Sequence, residues 1–145
     1  MPKATKVTWP PAEKGFKPAP RPTSVKVGIY EYVVLWIDDK EWRGMDDADN
    51  GHIGDHHGPS ARIRIRLVPD CHEQTFRETL WHEIMHAVWY QTDMNGNPVS
   101  DAVVGEVDQE ETIIARSSYL FLQVLQDNPD VMAYLSAMLY SVKAG

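Results

Sequence analysis

Between Phe76 and Val88 the apolar residues Phe76, Leu80, Ile84, Ala87 and Val88 recur at helical spacing, with Trp81 and Met85 beside them. This run must bury one face against the rest of the chain, so it predicts a core helix. It also contains His82-Glu83-Ile84-Met85-His86, the His-Glu-x-x-His pattern of zinc hydrolases. Residues four apart lie about 40° apart around a helix, so both imidazoles can aim at one metal. Glu83 lies about 60° from His86, beside the metal position, where a carboxylate can serve as general base toward a metal-activated water. A zinc ion lowers the pKa of such a water to about 7, which is the chemistry this spacing serves.

A catalytic zinc usually takes three protein ligands. The longer motif with a third histidine six residues on is excluded, because Thr92 stands there and Trp89 replaces its glycine. No histidine follows His86, so the remaining common solution is a Glu from the next helix. Glu106, Glu110 and Glu111 all qualify, and periodicity does not separate them.

The elements expected around this helix are of mixed type. Val25–Ile37 is rich in Val, Ile, Tyr and Trp and suits strand, with Gly28 marking a bulge or a break between two strands. Asp38-Asp39-Lys40 resembles a turn, and 44–59 gathers Gly, Asp, Asn and His as a loop. That loop holds His52, His56 and His57 beside Asp46, Asp47, Asp49 and Asp55, but their spacing fits no defined ligand frame for a second metal. Ala61–Val68 alternates strictly, with Ile63, Ile65 and Leu67 on one face and Arg62, Arg64 and Arg66 on a face expected to be solvated. Asp70 and Glu73 offer a start for the His82/His86 helix, and Asn95-Gly96-Asn97-Pro98 a turn after it. A second helix is expected from Glu106 to Gln126 with Ile113, Ile114, Phe121, Val124 and Leu125 as its stripe. A third follows from Asp130 to Val142 on Val131, Leu135, Met138 and Leu139.

Residues 1–24 carry six prolines and few aliphatics, and read as a disordered basic arm, leaving 25–145 as one domain. The net charge of −7 is concentrated in that domain, because the arm has five cations against Glu13 alone; binding to nucleic acid through the overall field is not expected. The single Cys71 excludes an internal disulfide framework and a cysteine metal cluster. With no secretory pattern and no apolar run near the ~20 residues of a membrane span, a cytoplasmic location and no membrane partner are expected.

Leu80-Trp81-His82-Glu83-Ile84-Met85-His86-Ala87, Glu110-Glu111-Thr112-Ile113-Ile114 and Val124-Leu125-Gln126-Asp127-Asn128-Pro129, in that order, resemble the small zincins encoded by tailed phages and bacterial prophages. These are zinc metallopeptidases of a minimal gluzincin type, and the likeness covers about residues 60 to 130. It implies an α+β fold with a small twisted sheet packed on a zincin-like helical core. It implies one zinc held by His82, His86 and Glu111, with Glu83 as base and Glu110 as runner-up for the third ligand. Ser117 departs from the aliphatic residue usual at its position. The function implied is zinc-dependent hydrolysis of a peptide or protein substrate in the cytoplasm of a bacterial host. A binding module on the same fold and a hydrolase of a non-peptide amide, such as a cell-wall bond, are the alternatives.

Overall fold

In a computed structural model, which describes residues 19–92 and 106–137 (backbone only for 106–110), the apolar run after Val25 divides at Gly28. Strands β1 (Ser24–Val27) and β2 (Tyr30–Asp38) form an antiparallel hairpin. Gly28 turns it in the left-handed region at φ 63°, where a side chain would also collide with Gln91. A one-turn helix α1 (Asp39–Arg43) follows, capped by the Asp38 carboxylate, which accepts from the Lys40 N–H. This turn of helix replaces the simple turn expected at Asp38–Lys40. Strand β4 (Arg62–Leu67) runs parallel to β2, and β3 (Gly54–His57) pairs antiparallel with β4, giving the order β1-β2-β4-β3. Strand β3 lies inside the segment expected to be only a loop, and it forms one edge of the sheet.

The three helices that follow complete a mixed α+β architecture. Helix α2 (Glu73–Gln91) carries the His82/His86 pair. His72, not Asp70, occupies its N-cap; Asp70 sits just upstream in a left-handed turn at φ 61°, which a short polar side chain tolerates. Helix α3 spans Glu106–Asp127 and α4 spans Pro129–Leu135, with Pro129 preset for the first turn. Asn128 between them spends its side chain elsewhere: it accepts from Lys26 N–H and donates to the Lys26 and Val124 carbonyls, tying the α3–α4 junction to β1. No helix among the described residues is long and apolar enough to cross a membrane.

The core forms where one face of the sheet meets α2. Val25, Val27, Tyr32, Val34, Ile63 and Ile65 pack with Phe76, Leu80, Ile84, Ala87 and Val88, and Leu120, Val124, Val131 and Tyr134 close the cluster. Full burial of each large aliphatic side chain here stabilises by about 1.5–3 kcal/mol relative to exposure. Among the described residues of α3 the buried ones are Ser117, Leu120 and Val124, whereas Ile114 and Leu125, expected in the stripe, are exposed. On α4 Val131 and Tyr134 are buried and Leu135 partly so, while Met138 and Leu139 lie outside the described residues. The turn at 95–98 does too.

The opposite face of β4 is not solvated as its arginines suggested, although the same face of β2 exposes Val33 and Leu35. Arg64 and Arg66 are buried under α1 and the segment that follows it. The Arg64 guanidinium pairs with Asp55 and Asp47 and stacks over the Trp42 ring, while Arg66 donates to Asp39 and to the carbonyls of Asn50 and His52. Asp47 and Asp55 of the segment expected to be a loop satisfy Arg64, and Asp39 of α1 with two carbonyls of that segment satisfies Arg66, which pins the segment to the sheet. Residues 19–24, expected in the arm, also belong to the fold. Arg21 makes a bidentate pair with Glu73, the Trp36 indole donates to the Pro22 carbonyl, and Ala19 packs on the core. The rest of the expected arm lies outside the described residues.

Candidate functional site

Helix α2 sorts its motif by phase. Leu80, Ile84, Ala87 and Val88 face the sheet, which leaves His82 and His86 exposed on the open side. Their rings meet edge to face with centroids 4.7 Å apart, and the two Nε2 atoms converge to 3.0 Å. Two imidazoles on one tetrahedral zinc, each bound at about 2.0–2.1 Å, place their nitrogens roughly 3.3 Å apart, so the pair suits a shared ion. Burial, and then His82, hold the His86 imidazole below its ordinary pKa, which keeps it neutral and able to coordinate.

Glu83 turns the other way, toward the edge strand, and is 5% exposed. Burial, reinforced by the nearby Asp55, pushes its carboxyl up to about 7. A carboxyl near neutrality can both take and return a proton at physiological pH. It is the only polar side chain of the motif that is buried.

Strand β3 forms the facing wall, and glycine lets it come so close. A Cβ at Gly54 would stand 2.6 Å from Thr79 Cγ2 and 3.1 Å from Glu83 Oε1. At the other end of the strand, a Cβ at Gly58 would enter the Tyr90 ring. Between these two contacts His56 faces α2: its ring lies 6.5 Å from that of His86, 5.4 Å from Tyr32 and 5.7 Å from Tyr90. Burial, with His86 and His57 adding, pushes the His56 imidazole down to about 4, so it is neutral at pH 7.

A cleft of about 600 Å³ opens between α2 and the 51–56 segment, lined by His82, Glu83, His86, His56, Asp55 and Glu78 among others. The other loop histidines do not join into a second centre. His57 lies exposed with Ser60, and His52 lies exposed 3.8 Å from Asp49. His56 is the residue whose membership of this wall the sequence did not reveal; the signal available was a glycine on either side of it, at 54 and 58.

Glu111, the expected third ligand, is exposed on α3. The structure brings His82, Glu83 and His86 together but does not add Glu111 to them: among the described residues no set of three His, Cys, Asp or Glu is arranged to hold a metal. The side chains of Glu106 and Glu110 lie outside the described residues.

Comparison with protein-family models, with curated proteins and with solved structures found no match for this chain.

Proposed function

We propose that the chain is a zinc-dependent metallopeptidase of the zincin kind, with His82 and His86 as metal ligands, Glu111 as the third, and Glu83 as the acid–base group. The observation that carries this reading is the convergence of the two Nε2 atoms to 3.0 Å beside a buried carboxyl at the base of a cleft. A zinc ion held by these residues would supply Lewis acidity and would lower the pKa of a water toward neutrality. Glu83 would accept a proton from the attacking water and return it to the leaving amine; its burial suits both halves of that exchange. Strand β3, at the sheet edge, offers its outer backbone groups to an extended peptide, which strand pairing would draw along the cleft. Gly54 keeps the wall narrow enough for Glu83 to lie beside such a peptide.

Glu83→Gln tests the role assignment. The variant should keep the metal and lose hydrolysis of peptide by about 10²–10⁴-fold, the usual worth of a positioned acid–base group. Loss of metal from this variant, or retained turnover, would contradict it. The third ligand is tested separately: Glu111→Ala should weaken zinc binding by more than the about 10–100-fold typical of an outer-shell neighbour, and Glu110→Ala by no more than that. The reverse ranking assigns the ligand to Glu110.

A further inference from the structure

The two walls of the cleft run side by side. Gly54 stands against Thr79 and Glu83, His56 against His86, and Gly58 against Tyr90. The residues before Gly54 therefore face the first turns of α2, so that Gly51, His52 and Ile53 line one end of the cleft with Thr75 and Glu78. Glu78 precedes His82 by about one helical turn and lies on the same side of the helix, about 6 Å away along its axis. Its side chain is exposed. Among the described residues it accepts from the Gln74 amide at 3.3 Å and makes no ion pair.

The fixed charge of this cleft has one sign. No Lys or Arg is among the described residues that line it, and its carboxylates are Asp55, Glu78 and Glu83. Asp55 is spent on the Arg64 guanidinium. Glu83 is buried, lines the same cleft and accepts no hydrogen bond among the described residues, so a molecule bound there must supply its donor. At the Glu78 end the remaining groups are neutral or already turned elsewhere. Thr75 and Thr79 bring hydroxyls, of which that of Thr79 is committed to the Thr75 carbonyl, and the His52 Nε2 stands 3.8 Å from the Asp49 carboxylate. Ile53 leaves 40% of its surface exposed beside Gly51, which has no side chain to cover it. An apolar surface with one uncompensated carboxylate at its rim suits a side chain that is a hydrocarbon stem ending in a cation.

We propose that Glu78 selects a lysine or arginine side chain of a peptide substrate, its stem lying on Ile53 and its charged head on the Glu78 carboxylate. For the substrate class the proposal rests on the metallopeptidase reading, in which a peptide laid along β3 passes this end of the cleft. An exposed ion pair of this kind favours the cation over a neutral side chain of equal length by about three- to fivefold. Repulsion of an anion adds a similar factor, for about tenfold between lysine and glutamate.

The test uses the zinc-loaded full chain and quenched fluorogenic peptides that carry lysine, norleucine or glutamate at a single position, moved residue by residue along either side of the cut. At one position kcat/KM should follow lysine, norleucine, glutamate, with about tenfold between the first and last at low salt and less as salt rises. Glu78→Gln should bring the lysine-to-norleucine ratio to about one, and Glu78→Lys should reverse the order. A merely structural role for Glu78 would slow all three peptides alike. That result, or a wild type with no preference for lysine over norleucine at any position, overturns the proposal. A wild type that loads no zinc, or loads it and cleaves no peptide, refutes the metallopeptidase reading, and binding then decides the subsite by itself. In fluorescence anisotropy with the metal-free chain, the labelled lysine peptides should bind about tenfold more tightly than the glutamate ones, and Glu78→Gln should remove most of that difference. Equal binding of the two sets by the wild type, or a difference that Glu78→Gln leaves intact, refutes the subsite.

Discussion

Gly54→Ala probes the contact that holds the two walls of the cleft together. The new methyl carbon would lie 2.6 Å from Thr79 Cγ2, 3.1 Å from Glu83 Oε1 and 3.2 Å from the Arg64 carbonyl oxygen. Carbon atoms pack best at about 3.5–4.0 Å, so the first contact overlaps by about 1 Å. Thr79 cannot swing aside cheaply, because it is buried and its hydroxyl donates to the Thr75 carbonyl. Overpacking of this kind costs about 1–3 kcal/mol. Alanine restricts the unfolded chain, which offsets about 0.4–1 kcal/mol of that. A net loss of about 1–2 kcal/mol lowers the melting midpoint by about 3–8 °C in a chain of this length. Thr79→Ser removes the colliding methyl and keeps the hydroxyl. Alone it should cost about 0.5–1.5 kcal/mol, as loss of a buried methyl does. In its presence Gly54→Ala should cost about 1 kcal/mol less than in the wild type, read from urea unfolding of the metal-free protein followed by tryptophan fluorescence. Rescue would be partial, since the Glu83 and Arg64 contacts remain. A Gly54→Ala protein that unfolds at the wild-type midpoint, or strictly additive effects in the double variant, would show that β3 is not clamped on α2 as described.

Arg64→Ala leaves Asp55 without the guanidinium that holds it and should destabilise by about 3–5 kcal/mol in chemical unfolding; a loss below 1 kcal/mol, on the order of a surface pair, would contradict its burial. A chain beginning at Val25 should melt below one beginning at Ala19, by about 1–3 kcal/mol of lost stability, because the Arg21–Glu73 pair and the Trp36 bond to Pro22 go with the removed residues; equal midpoints would refute that clasp. In the metal-free protein Glu83 has a folded pKa of about 7 against an ordinary 4.5, so its contribution is fully present below 4.5 and is lost as pH rises through about 7. Glu83→Gln should therefore gain melting temperature over the wild type between about pH 5 and pH 8, and a constant difference across that range would contradict the buried carboxyl.

What the sequence made legible was whatever a single element's own pattern determines. The phase of Phe76, Leu80, Ile84, Ala87 and Val88 identified α2 and the face it buries, because one helix face must be apolar to be buried. The alternation along β4 gave its core face correctly through Ile63 and Ile65. Its other face was misread because the aspartates that neutralise Arg64 and Arg66 come from a segment with no apolar period, and charge pairing across the fold leaves no local mark. The same blindness hid β3: Gly54-Asp55-His56-His57 has none of the Val, Ile or Thr that signal strand, and only pairing with β4 makes it one. Helix α3 misled in the opposite sense. Ile114 and Leu125 look like core by composition, yet Leu120 and Val124 set the buried side and leave both exposed.

Elemental analysis of the full chain, purified without an affinity histidine tag and after zinc loading and removal of free metal, addresses the central claim most directly. The account predicts about one zinc per chain in the wild type and in Glu83→Gln, and a loss of it in His82→Ala and in His86→Ala, since two of three ligands cannot keep a catalytic-type site closed. Wild-type protein that retains less than about a tenth of an equivalent, or histidine variants that retain as much as the wild type, would contradict the reading of this helix as a metal site.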